Sequence, residues 1–190
     1  FGLHPWFVHQ RSENWQSVLV SYLERFPNAG LGEAGLDAFK NSENFDSQIE
    51  SLKIQVELAL SLNRPLTIHC VRSWQPLLDI LRKYQSGKLR FMVHAFSGSP
   101  EVAASISDLG GYVSFSPAII KMTHKKARAA LAKVPLERVL IESDSDSEQT
   151  ILLKTLEVAS KILSVSIYDL AKITYNNGRR FLRGNNERTF

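Results

Sequence analysis

The chain has 190 residues, 44% of them hydrophobic and 22% charged, with a formal net charge of +4. That supports a soluble domain with a real core, and the mildly basic balance is compatible with a nucleic-acid substrate without indicating one. No apolar run approaches the ~18 residues of a membrane span, so no membrane partner is expected, and no basic segment followed by an apolar one marks a secretory leader. Cys70 is the single cysteine, which excludes an intramolecular disulfide and fits a reducing, cytoplasmic setting.

The chain opens on FGLH, which reads as the tail of a strand ending at His4. Residues 14–26 set Trp15, Val18, Leu19, Tyr22, Leu23 and Phe26 three and four apart, one apolar stripe of a helix. NAGLGE is a short apolar run ending at Glu33. Residues 46–63 are helical, with Ile49, Leu52, Val56, Ala59 and Leu60 on the stripe and Pro65 just beyond. RPLTIH ends a strand at His69, and KLRFMVH ends one at His94. Ser99-Pro100 is an N-cap and first-turn pair for a helix stopped by Gly110-Gly111. GYVSFS is a strand ending near Ser116, Thr123 caps a helix over 124–133, and ERVLIESD is a strand ending near Asp144. Helices over 148–163 and 167–176, the second capped by Ser166, close the chain.

Strict alternation of strand and helix, with no linker or repeat, argues for a parallel sheet in one α/β domain spanning residues 1–190. Two architectures compete. An open sheet would spread strand-end residues along an edge of roughly 25 Å, whereas a closed TIM-type (β/α)8 barrel gathers them at one mouth. No Gly-x-Gly-x-x-Gly turn follows any strand, and His4, Glu33, His69, His94 and Asp144 all end strands, which favours the barrel. A full barrel has about eight units in about 250 residues. This chain supplies about six, and two further units of ~30 residues each would precede Phe1.

Two histidines and two carboxylates at strand ends form a plausible divalent-metal site for Zn, Mn, Fe or Mg. Two cations bridged by a carboxylate could activate a water and stabilise a leaving oxygen. Each residue has a plainer reading: a lone strand-end His is more often hydrogen-bonded than metal-bound, Glu33 could cap a loop, and Asp144 could offset a helix dipole. His9 and His124 have no such placement and read as surface residues. Arg72 and Lys121 could hold phosphates, and Trp6 or Phe96 could stack on a base; a surface ion pair and core packing are the competing roles.

The stretches GLHPW, GEAGLD, RPLTIHCVR, HAFSGS, GGYVSFS, VLIESD and NNGRRFL resemble, in order and spacing, the TatD-type metal-dependent deoxyribonucleases of the amidohydrolase-like barrel superfamily. The resemblance implies that Glu33, His69, His94 and Asp144 are metal ligands. Glu33 would bridge two ions, Mg2+ or Mn2+ and alternatively Zn2+, and Asp144 would double as general base, so that Asp144 and Glu33 are the catalytic pair. His4, Arg72 and Ser97 would touch substrate. The implied reaction is hydrolysis of phosphodiester bonds in DNA from an end, by metal-activated water. The family's first strand carries His-x-His, which occurs nowhere here, and the aspartate motif reads ESDSDS without its usual proline. The alternatives are a metal-dependent hydrolase of a small ester, amide or lactone, and a non-catalytic interaction protein on the same fold. The sequence leaves the oligomeric state open.

Overall fold

The structure is a computed structural model that describes residues 1–84, 88–144 and 149–184. The chain divides into two compact units, Phe1–Met92 and Val93–Phe190. The first contains a 3-10 turn (Pro5–Gln10), α1 (Trp15–Arg25), β1 (Leu31–Asp37), α2 (Phe45–Ser61), β2 (Leu66–Val71) and α3 (Trp74–Lys83). The division falls within β3 (Phe91–Val93). The second unit continues with α4 (Pro100–Asp108), β4 (Tyr112–Phe115), α5 (Lys125–Leu131), β5 (Val139–Ile141), α6 (Gln149–Leu163) and α7 (Ile167–Arg183). In the first unit β1 pairs with β2, and in the second β4 pairs with β5.

Within the first unit, β1 and β2 run parallel, and side chains alternate between two faces. Ala34 and Leu36 are buried, as are Leu66, Ile68 and Cys70. They form a core with Leu52, Val56 and Ala59 of α2. The opposite alternation on β1 carries Glu33, Gly35 and Asp37. Leu31 pairs with Leu66 but Ala34 with Ile68, so β1 holds one extra residue at Gly32-Glu33. Such a bulge re-aims a side chain next to a site, here that of Glu33.

The strand expected to end at Glu33 therefore continues to Asp37. Its glycines suggest an early stop, but Gly35 is required where it stands. It faces His69 across the ladder with φ +154°, and a Cβ there would collide with the His69 carbonyl oxygen. The expected FGLH strand is reduced to one step. The Phe1 amino group donates to Gly30 O at 3.0 Å, and Gly32 N–H donates to Phe1 O at 2.8 Å. These two bonds flank Leu31 as in a parallel ladder. The ladder then stops because the Gln55 side chain takes Leu3, accepting its N–H at 2.8 Å and donating to its carbonyl at 3.0 Å.

The helices depart from their apolar patterns in informative ways. On α1 only Leu19 and Leu23 are buried, while Val18, Tyr22 and Phe26 stay exposed. The Phe1 ring lies 5.1 Å from that of Tyr22 and 5.4 Å from that of Phe26. On α2 the buried face includes two glutamines, Gln48 and Gln55, absent from the expected stripe. α5 starts later and ends earlier than expected; His124, not Thr123, precedes it and makes no side-chain cap bond. Ser99 and Ser166 are N-caps as expected, accepting from Val102 N–H and Asp169 N–H.

In the second unit β4 and β5 are parallel, with Val113 opposite Val139 and Phe115 opposite Ile141. α7 runs seven residues beyond its expected end, from position 176 to Arg183. The Asn-Asn-Gly at that expected end lies inside the helix. Buried Asn177 donates to the carbonyls of Leu136 and Val139, both at 2.8 Å. Gly178 leaves room for Leu140, whose Cδ2 would lie 3.9 Å from an added Cβ. Residue 148, the expected start of α6, lies outside the described residues, as does the run 145–147 of ESDSDS.

Gln55 of α2 holds both the N–H and the carbonyl of Leu3, and its loss leaves the two half-buried groups without that partner. Gln55→Ala is predicted to lower unfolding free energy by about 1–3 kcal/mol, read as a drop in urea midpoint. An unchanged midpoint would show that the clamp contributes nothing.

Candidate metal centre

The first unit gathers its chemistry around Asp37, a residue quoted in GEAGLD but given no role from sequence. Asp37 is buried, and both its oxygens are fully engaged. Oδ1 accepts the backbone N–H of Phe39 at 2.9 Å and of Lys40 at 2.8 Å. Oδ2 accepts the Trp6 indole N–H at 2.7 Å and faces His69 Nε2 at 3.0 Å. Burial by itself raises its pKa; the Trp6, Lys40, His69 and Phe39 bonds outweigh that and bring it to about 2.

Because Oδ2 is an acceptor, His69 Nε2 carries the proton and the lone pair resides on Nδ1. A carboxylate behind one ring nitrogen, fixing the tautomer of the other, is the outer-shell arrangement of a metal-binding histidine. Ligand-type atoms of His4, Glu33 and His69 all lie within 4.8 Å of one another. Donors held ~2.1 Å from one cation lie within roughly 4 Å of each other, so small side-chain rotations close this set.

His4 plays a different part within that group. Its Nδ1 accepts the Trp6 backbone N–H at 3.2 Å, capping the turn that Pro5 begins. The proton then sits on Nε2, which is 3.4 Å from Glu33 Oε2. His4 is thus set up as a hydrogen-bond donor toward Glu33, while Glu33 and His69 have the electronic form of ligands. The His4 ring lies 4.7 Å from both the Trp6 and His69 rings, so the three aromatic rings brace one another.

Cys70, beside His69, is buried. Burial pushes its thiol up to about 12, and the Asp37 charge adds to this against a backbone hydrogen bond from Ser73.

The second unit holds His94 and Asp144, with a further carboxylate, Glu142, that sequence reading left unassigned in VLIESD. Glu142 Oε1 accepts the Ala95 N–H, and Oε2 accepts the Ser114 hydroxyl at 2.7 Å. His94 Nδ1 lies 3.6 Å from Glu142 Oε1 and 3.9 Å from Asp144 Oδ1. Both distances are too long for direct hydrogen bonds. Ala95 and Asp144 both have left-handed backbone, with φ of 43° and 49°, and such strain in non-glycine residues concentrates at functional positions. The clue to Glu142 was its place directly after a strand, two residues before Asp144.

The remaining candidates separate. Arg72 and Ser97 are exposed, Ser97 in the loop between β3 and α4. Lys121, His9 and His124 are exposed. Phe96 is 2% exposed and packs edge-on against Phe115 at 6.0 Å, so it is core and cannot stack on a base. The Trp6 ring is covered instead by Lys40, whose Nζ lies 3.3 Å from the ring centroid.

An α/β chain of strand-helix units with histidines and carboxylates clustered at strand ends is the build of a metal-dependent hydrolase of the TIM-barrel class. Comparison with known proteins makes this specific. Residues 1–183 match the family described as TatD related DNase, and the chain belongs to that family. It is 33% identical over 151 residues to the human 3′-5′ RNA nuclease TATDN2, covering 76% of this chain and 19% of that protein. It is 29% identical over 161 residues to the metal-dependent hydrolase YcfH of Escherichia coli K12, covering 79% of this chain and 61% of YcfH. The chain thus spans about three-fifths or less of these two relatives. The crystal structure of YjjV, a TatD homologue from Escherichia coli K12, matches with TM-score 0.85 and 27% identity over 96% of this chain and 74% of YjjV. No helix among the described residues is long and apolar enough to cross a membrane.

The Asp37 value sets a pH dependence. Its folded pKa, about 2, lies below the ordinary 3.8, so its stabilisation is present above pH ~4 and is lost as pH falls toward 2. Chelator-treated protein should lose about 2 kcal/mol over that window from this group, measured by denaturant unfolding at stepped pH. Asp37→Asn should be less stable at neutral pH and flatter through the window; a parallel acid profile for the two proteins would refute the assignment.

Proposed function

We propose that this chain carries the metal-binding and reacting groups of a phosphodiesterase that hydrolyses nucleic acid from an end. The observation that carries the reading is the His4, Glu33 and His69 cluster with Asp37 behind His69. Membership of the TatD related DNase family supports DNA as substrate, and the RNA activity in the human relative's name makes RNA the alternative to test. The net charge of +4 agrees with a polyanionic substrate.

Glu33 and His69 in the first unit, and His94 and Asp144 in the second, are the proposed ligands for two Mg2+ or Mn2+ ions. Bound divalent cations supply charge neutralisation on the phosphate and acidify a coordinated water. The protein's own groups do the rest. Asp37 holds the His69 tautomer, and His4 Nε2 stands 3.4 Å from Glu33 Oε2. Asp144, the more exposed carboxylate beside His94, is the proton acceptor for the attacking water in this reading. Glu142, whose oxygens are taken by Ala95 and Ser114, holds a carboxylate 3.6 Å from His94 Nδ1. Arg72 and Ser97 provide donors for substrate phosphates from exposed loops.

Purified protein in Mn2+ or Mg2+ is expected to release nucleotides from end-labelled single-stranded DNA or RNA. EDTA, Glu33→Ala and His69→Ala should each bring release to background with circular dichroism unchanged. Asp37→Asn should lower activity by about 10–100-fold, as expected of a group behind a ligand. Release that Glu33→Ala leaves intact, or none from the unaltered chain, would defeat the reading.

A further inference from the structure

The loops following Asp37 and His69 carry an exposed aromatic ring and an exposed guanidinium in contact. Phe39 is 65% exposed, and the Arg72 guanidinium carbon lies 4.4 Å from its ring centroid. A single exposed aromatic is ordinary. Three further observations set this one apart.

First, the backbone that carries the ring is held in place. The Phe39 N–H is bonded to Asp37 Oδ1 at 2.9 Å, and the next N–H, of Lys40, to the same oxygen at 2.8 Å. The carboxylate that fixes His69 therefore also fixes the base of the Phe39 loop. Second, Arg72 comes three residues after His69 with a left-handed backbone, φ 53°. Among the described residues it makes no ion pair, and its contact is the Phe39 ring. Third, the neighbouring Lys40 likewise sits over an aromatic ring, that of Trp6, with Nζ 3.3 Å from the centroid. Two cations thus lie against two rings, on loops anchored to the proposed metal-binding residues.

We infer that Phe39 and Arg72 form a stacking platform for one unpaired nucleobase of a single-stranded nucleic acid, with Arg72 and Lys40 taking the adjoining phosphates. The inference rests on the nucleic-acid reading above and adds to it where the base sits. A nucleotide offers what the pair lacks: a flat π-face for the open side of the Phe39 ring, and an anion for the guanidinium. A small acidic substrate would engage the cations but would gain nothing from the ring. In a duplex the base faces are occupied by stacking, so the platform selects single strands or frayed ends.

Binding, measured apart from cleavage, tests this. Fluorescence anisotropy of labelled dT10, rU10, an abasic decamer and a blunt ten-base-pair duplex is followed with the 190-residue chain in Ca2+ and in EDTA. Phe39→Ala should raise Kd for dT10 or rU10 about tenfold and leave the abasic decamer and duplex unchanged. Phe39→Trp should restore binding. Arg72→Ala should weaken base-bearing and abasic strands alike and reduce the dependence on salt. Equal affinity of Phe39→Ala and the unaltered chain for dT10 and rU10, or abasic binding as tight as dT10, would overturn the platform while leaving the nuclease reading intact. If the unaltered chain binds none of these strands in either condition, both fall. Comparing dT10 with rU10 decides which backbone is taken.

Discussion

A buried carboxylate must be matched by donors or it is not tolerated as an anion, and Asp37 meets that demand with four. The four donors come from three parts of the first unit: the turn after His4 through Trp6, strand β2 through His69, and its own loop through Phe39 and Lys40. Satisfying one charge therefore fixes a strand end, an indole, an imidazole tautomer and the start of a loop together. The backbone of Asp37 is held as well. Its N–H donates to Gln48 Oε1 at 2.7 Å and its carbonyl accepts from Gln48 Nε2 at 3.2 Å.

The second unit solves a similar problem with other parts. Glu142 is matched by a backbone N–H and a serine hydroxyl, and a histidine stands within charge-contact distance. In both units the carboxylate held most firmly is distinct from the more exposed one beside it, Glu33 in the first and Asp144 in the second. The firmly held group in each unit stands beside a histidine, at 3.0 Å for Asp37 and His69 and 3.6 Å for Glu142 and His94.

Much of the architecture was legible in the sequence because it depends on periodic burial. The alternation of apolar runs with helical stripes located each strand assigned from β1 onward, and caps such as Ser99-Pro100 and Ser166 have a local mechanism that sequence displays. What failed to show depends on side chains serving distant backbone. Gln48, Gln55 and Asn177 look like surface residues by composition, yet each is buried to satisfy amides and carbonyls 7 to 52 positions away. Gly35 reads as a breaker until the His69 carbonyl across the ladder is known. Among the candidate site residues, the strand-end histidines and Glu33 were visible because chemistry-bearing residues punctuate apolar runs. Asp37 was hidden because the run was taken to stop four residues too soon. Phe96 sits in the same loop class as Phe39, and sequence offers no measure of which of two loop phenylalanines is turned inward.

Gln48 and Gln55 also make α2 a gauge. They lie seven residues apart, two helical turns or ~10.5 Å of rise, and on one face. One grips the backbone of Asp37 and the other that of Leu3, the residue before His4. The helix thereby sets the spacing between the two chain segments that bear Asp37 and His4, independently of either segment's own sequence. An insertion of one residue between the glutamines would turn one amide by about 100° around the helix axis and release its segment. The length of α2 between these positions is therefore as constrained as the identity of the groups it holds.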